Sequence, residues 1–223
     1  MSPTPSARVT KDLNDGLSWT NLPERLLHKF SLPENAHLLR GRTPEEMASR
    51  NVASVVRAFQ GFPKSVTLGG GTTLLRATSF RDPWIFDETR GYGQRNNPLG
   101  SWWFPEALFL EILDQCGGNT LRDSNCSDCV REKLQAVLAV SDNFSDIEQL
   151  WCIRLETGEK LTVLAGPAFR QPRDSGLAGS YLNMGNLPGG ASQYYLLNVP
   201  ESLVKPYPHQ LLEGFWFGKT VLR

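Results

Sequence analysis

A surplus of one charge is what this sequence lacks most plainly. Its 23 basic and 23 acidic side chains cancel over 223 residues, so no global positive field exists to hold it on nucleic acid, where clustered Lys and Arg supply most of the affinity. Nucleic acid is therefore not an expected partner, although a local basic patch stays compatible with neutrality. No run reaches the ~20 apolar residues of a membrane span, and no membrane partner is expected. The opening Met1-Ser2-Pro3-Thr4-Pro5-Ser6-Ala7-Arg8 has no apolar stretch of the signal-peptide kind, so a soluble, cytoplasmic protein is the expectation, with export as an effector still open. Four cysteines are too few for a disulfide scaffold. The three histidines, His28, His37 and His209, stand far apart, and the first two read as surface residues. What is present is ordinary for a folded chain, 40% hydrophobic and 21% charged, which excludes wholesale disorder.

Residues 1–17 show no apolar period and read as a loose leader. The rest, 18–223, reads as one α+β domain, with a helical portion over 18–64 and a β-rich core over 65–223. A short helix is expected after Pro23, burying Leu26, Leu27 and Phe30. The strongest helix signal follows: Thr43 as cap, Pro44 at the first position, and Glu46 able to complete a capping box. Ala48, Val52, Val55, Val56 and Phe59 then recur at helical spacing until Gly61 and Pro63 stop it. Strands are expected at 65–68 and 72–78 around Gly69-Gly70-Gly71, followed by a long polar loop over 81–100 carrying Trp84, Phe86 and Tyr92. Ser101–Phe104 reads as a short strand running into a helix at Pro105, and 128–140 as a further helix. A hairpin is expected from 150–155 and 160–165 about Thr157-Gly158-Glu159. A Gly/Pro-rich connection over 166–190 then precedes strands at 191–197 and 215–217.

Some tempting motifs carry little. Gly69-Gly70-Gly71-Thr72-Thr73 lacks the Gly-Lys-Ser/Thr ending of a phosphate loop and reads as a turn. Cys116, Cys126 and Cys129 have zinc-like spacing, but a fourth ligand would have to be Cys152 inside a strand, so free cysteines are favoured over a metal site. Asn125-Cys126-Ser127 and Asn143-Phe144-Ser145 match glycan acceptors with no secretory signal to support their use.

Three segments in order carry more chemistry: Leu74-Leu75-Arg76-Ala77-Thr78, Gly100-Ser101-Trp102-Trp103-Phe104, and Leu187-Pro188-Gly189-Gly190-Ala191-Ser192-Gln193. An arginine in an apolar strand is costly to bury unless an anion or carboxylate satisfies it, and its fork suits a phosphate. Ser101 beside Trp102 and Trp103 offers a hydroxyl next to flat rings on which a planar ring can lie. Gly189-Gly190 permits close backbone approach, and Gln193 offers both a donor and an acceptor.

This order resembles the ADP-ribosyltransferase-like superfamily of NAD-using enzymes and toxins, over roughly residues 72–200. Leu164–Ala168 and Gln171 also look like the stretch before the third motif of divergent bacterial members. The resemblance implies a split, twisted, mostly antiparallel β-sandwich with NAD as substrate in the cleft between two small sheets. It implies catalytic roles for Arg76, Ser101 and Gln193. It also implies that Arg76, Thr78, Trp102, Trp103 and Gly190 contact NAD, with Arg76 on a phosphate or ribose and an indole bordering the nicotinamide. No metal is implied. The implied activity is ADP-ribosyl transfer or NAD glycohydrolysis by a toxin or effector, with a protein acceptor and an inhibitory or immunity protein as further partners. The chain departs from the pattern at Gln193, where the family carries Glu. Either Glu201 or another acid supplies the negative charge that steadies the departing sugar, or the fold is a catalytically silent nucleotide- or protein-binding module. Arg40, in Leu38-Leu39-Arg40-Gly41, is the alternative anchor, with Thr78-Ser79-Phe80 as its second motif.

Overall fold

The capping box at Thr43 forms as its residue types dictate. Thr43 Oγ1 accepts from the Glu46 amide at 3.2 Å, and the Thr43 amide donates to Glu46 Oε2 at 2.9 Å, satisfying two of the helix's unpaired donors. That helix, α2 (Pro44–Ala58), packs on α1 (Leu22–Ser31). Leu22, Leu26, Phe30, Ala48, Val55 and Phe59 form their common buried face. In this computed structural model the described residues are 12–78, 99–117, 124–140, 147, 149–172 and 185–207. Residues 81–98 of the aromatic loop read at 81–100, the second glycan triplet, His209 and the strand read at 215–217 lie outside them.

After α2 come β1 (Lys64–Gly69), β2 (Thr73–Thr78), β3 (Trp102–Pro105), α3 (Glu106–Gln115) and α4 (Ser124–Leu138). They are followed by β4 (Gln149–Arg154), β5 (Lys160–Pro167), β6 (Gln171–Pro172), β7 (Asn186–Leu187), β8 (Ser192–Tyr195) and β9 (Val204–Pro206). Seven strands make one antiparallel sheet in the order β1-β5-β8-β3-β2-β4-β9, and β6 pairs β7 apart from it. The chain is thus α+β, as its composition of elements predicts. The hairpin expected from β4 and β5 does not exist: β4 pairs with β2 and β9, and β5 with β1 and β8. Thr157-Gly158 does form a turn, but a turn signal is local and leaves strand partners to the rest of the sheet.

Connection lengths show that this sheet cannot be flat. β1 and β2 are four strand spacings apart in the sheet order, ~19 Å at ~4.8 Å per strand. Only residues 70–72 link them, and four Cα–Cα steps span at most ~15 Å. The sheet must therefore curl, bringing one half, β1-β5-β8, toward the other, β2-β4-β9. Leu74, Trp103, Ile153, Leu161, Val163 and Leu196, contributed by both halves, fill the inner cluster. The two crossing connections bond each other, Gly71 N–H to Leu155 O at 2.8 Å and Leu155 N–H to Thr72 O at 2.9 Å. Gly70 is required here, because a Cβ would lie 2.7 Å from the Glu156 carbonyl oxygen.

Each half is covered outside by a helix pair. α1 and α2 lie over β5 and β8 through Leu164, Tyr195 and Leu197. α3 and α4 lie over β2, β3 and β4, with Phe109, Ile112, Val130 and Leu134 against Leu75, Phe104 and Leu150. Two expectations are corrected in this region. Cys116 and Cys129 form a disulfide joining the end of α3 to α4, while Cys126 and Cys152 are buried free thiols; among the described residues no cluster could hold a metal. The stretch before residue 18 is also not wholly loose. Asn14 and Leu17 are buried, the Asn14 side chain exchanges hydrogen bonds with the Asn198 backbone, and Asp12 accepts from the Thr162 amide at 3.1 Å. Short polar segments show no apolar period, yet their side chains pair with sheet residues distant in sequence.

The disulfide spans a sequence separation of 13, a loop whose closure is worth about 3 kcal/mol in the chain-entropy account. A Cys116→Ser/Cys129→Ser variant is expected to lose about 3 kcal/mol of unfolding free energy, read as a lower denaturant midpoint. An unchanged midpoint would show that the bridge adds no stability.

Candidate functional site

β3 is shared between the two halves of the sheet. Its first residues pair with β8 (Trp102 with Tyr195, Trp103 with Tyr194), while its last pair with β2 (Phe104 with Leu75, Pro105 with Leu74). From Arg76 onward β2 and β3 no longer pair, and a seam opens. The Arg76 side chain fills it, and its Nη1 donates to the Trp102 carbonyl at 2.8 Å. Gly100 makes room: a Cβ there would lie 2.1 Å from Arg76 Nη2. Desolvation lowers the guanidinium from its ordinary 12.5 to about 10, so it remains a cation at neutral pH.

On the outer side of this seam, between the two helix pairs, lies a cavity of about 1210 Å³. Its floor holds Arg76, Trp102, Phe59 and Gln193. One wall is the polar face of α2, including Arg50, Ala53, Ser54 and Arg57. The opposite sides come from Leu138–Val140 at the end of α4 and from Phe169–Pro172. Four arginines line it (Arg50, Arg57, Arg76 and Arg170), and among the described residues no carboxylate does. Among the described residues the charged lining is thus wholly cationic. A concave site with low-dielectric walls focuses such a field on an anionic ligand.

The structure brings Arg76, Trp102, Trp103 and Gln193 to this cavity and leaves the other predicted residues elsewhere. Trp102 packs between Phe59 and Tyr195, with ring centroids 5.3 Å and 5.2 Å away, and is only partly exposed to the cleft. Trp103 points to the opposite face because side chains alternate along a strand; it is 1% exposed and donates its indole N–H to Gly100 O at 2.8 Å. Its ring is inner core and cannot border a ligand, although its backbone edges the cavity. Thr78 is fully buried, accepting from the Trp151 indole at 3.1 Å, and does not line the cleft. The Ser101 carbonyl accepts from the Leu196 amide at 2.8 Å, also away from the lining. Gly190 is an exposed turn residue whose amide donates to Ala168 O at 2.9 Å.

The double glycine does allow close approach, but of the chain to itself. A Cβ on Gly189, whose φ is +69°, would lie 2.5 Å from Ala168 O. The Gly189 and Ala191 amides satisfy the Ala136 and Val137 carbonyls at the end of α4. Gln193, buried in the floor, donates through Nε2 to Ala58 O at 2.5 Å, tying β8 to the last turn of α2. Arg40 is an exposed turn residue at φ 50°, and Glu201 is exposed in a short 3-10 turn; neither reaches the cavity.

Sequence reasoning passed over Arg50, Arg57 and Arg170. The first two lie opposite Ala48, Val52, Val55 and Phe59 on the helix wheel, where a polar face ordinarily meets solvent. Their spacing of seven, placing both on one stripe of α2, is the signal that was available. Comparison of the chain with protein-family models, curated proteins and solved structures gives no match.

Two outcomes follow from this geometry. Gly100→Ala is expected to expel the Arg76 guanidinium from the seam, and a crystal structure retaining the bond to Trp102 O would contradict the packing described. Tyr195 is pushed up from 10.0 to about 12, chiefly by burial. Between those values the folded protein keeps a proton that the unfolded chain has lost, so stability is intact below pH 10 and falls as pH rises toward 12, by about 1.4 kcal/mol per pH unit. Tyr195→Phe is expected to flatten that part of the stability profile measured by urea denaturation, and a slope left unchanged would assign the alkaline loss to other groups.

Proposed function

We propose that the arginine-lined cleft binds NAD and that the protein is an ADP-ribosyltransferase or NAD glycohydrolase on a split, twisted β-sandwich of the ADP-ribosyltransferase kind. The observation that carries this reading is Arg76, a desolvated guanidinium in the seam of a curled sheet and in the floor of a cavity with three further arginines. In this reading Arg76 grips the diphosphate, since a guanidinium fork matches phosphate oxygens. Trp102 presents an aromatic edge at the floor, and Phe59 and Phe169 supply apolar surface. Gln193, held by its bond to Ala58 O, orients the ribose. The chemistry supplied by the dinucleotide is cleavage of its bond to nicotinamide, with the ADP-ribosyl group passing to water or to a protein side chain.

A second reading, a silent nucleotide-binding module, is favoured by one feature. Gln193 is neutral and already committed through Nε2, so it supplies no negative charge to a developing cation. The disulfide between Cys116 and Cys129 supports an existence that includes an oxidising compartment. That agrees better with an exported effector, neutralised before export by an inhibitory partner, than with a permanently cytoplasmic enzyme.

Incubation with NAD is expected to release nicotinamide. Arg76→Ala is expected to lower that release at least a hundredfold with the circular dichroism spectrum preserved, and Arg40→Ala to leave it unchanged. Loss in Arg40→Ala with retention in Arg76→Ala would overturn the assignment of the anchor. Binding of NAD without release would establish the silent module, and absence of binding would end both readings.

A further inference from the structure

Resting on that reading, the cleft has more cationic reach than a single diphosphate uses. The two phosphorus atoms of a dinucleotide share a bridging oxygen, and Arg76 in the seam is placed to meet them at the floor. Arg50 and Arg57 stand apart from it on the α2 wall, seven residues and so two turns from one another, ~10.5 Å along the axis. Ala53 and Ser54 lie between them in the lining, and Ser49 stands beside Arg50. Small side chains there let an anion come close to the helix, and the two hydroxyls add donors. Neither Arg50 nor Arg57 forms an ion pair with any described residue; the one ion pair on the described surface joins Arg131 and Asp128. Both line the cavity, and among the described residues no carboxylate competes for their charge.

We infer that the α2 wall is a second anion subsite, formed by Arg50, Arg57 and the Ser49 and Ser54 hydroxyls, that takes a phosphomonoester on the same dinucleotide. The ligand the cleft prefers is accordingly the 2′-phosphorylated form, NADP, rather than NAD. One continuous cavity is lined by both Arg76 and the α2 pair, so one molecule can reach both. A phosphomonoester is close to a dianion at neutral pH, and charge-assisted hydrogen bonds from guanidinium are among the strongest available to a protein.

Calorimetric titration of the full chain with ADP-ribose and with its 2′-phosphate tests this without dependence on turnover. The 2′-phosphate form is expected to bind roughly tenfold or more tightly, the scale of one or two added hydrogen bonds to a charged group. The Arg50→Gln/Arg57→Gln variant is expected to remove the difference, weakening the 2′-phosphate form by a much larger factor than ADP-ribose. Both changes are on exposed helical positions, so folding is preserved. Arg76→Ala is expected to weaken both ligands by a similar factor. Equal binding of the two ligands to the unaltered protein would overturn the subsite and leave the proposed function standing. A preference that survives in the double variant would equally overturn it. If neither ligand binds, the proposed function fails and the subsite fails with it.

Discussion

The four residues of β3 belong to both halves of the sheet, and most of what is distinctive in this molecule follows from that sharing. Trp102 and Trp103 pair with β8, Phe104 and Pro105 pair with β2, and no strand pair extends across the change. A hydrogen-bonded ladder that switches partner within four residues leaves backbone groups open at the switch. The Trp102 carbonyl is one, and it is met by the Arg76 guanidinium instead of by a strand amide. The connection of residues 70–72, too short for a flat sheet, then holds the halves against one another. Curling buries the inner cluster and divides the outer surface between two helix pairs, so the seam becomes the floor of the groove between them.

Placing a cation at that floor has a cost that the surroundings reduce without removing. Desolvation lowers the Arg76 pKa to about 10, while the bond to Trp102 O and the absence of a side chain on Gly100 fix the group in place. Arg50, Arg57 and Arg170 around it reinforce the positive field rather than cancel it. This clustering of arginines is the observation on which the proposal of a phosphate-bearing ligand rests.

Parts of this were legible in residue order. The capping box at Thr43 and Glu46, the helical stripe to Phe59, and the strand-to-helix passage at Pro105 are encoded within one or two turns of chain. Arg76, Trp102 and Gln193 were read as converging, and they do meet at one cavity. Trp103, Thr78, Ser101 and Gly190 were grouped with them through the resemblance of the three motifs. In a strand adjacency means opposite faces, so Trp103, next to Trp102, went into the interior; Thr78 was taken up by the Trp151 indole, and Ser101 and Gly190 by the Leu196 amide and the Ala168 carbonyl. Arg50 and Arg57 show the converse, looking like an ordinary solvated face because no local pattern distinguishes solvent from a groove. The Cys116–Cys129 bridge was hidden for a similar reason, since spacing alone does not say whether two helices bring their thiols together.

The sequence by itself determined the helices, their caps, the strand material and the presence of an arginine in an apolar strand. These depend on propensity, capping chemistry and hydrophobic period, which act over a few residues. Only the tertiary structure decided that β4 and β5 part company, that the sheet curls, and that four arginines from α2, β2 and the segment after β5 share one cavity. Strand partnership is settled by how the whole chain buries its apolar faces, and charges far apart in sequence become neighbours only after that burial is complete.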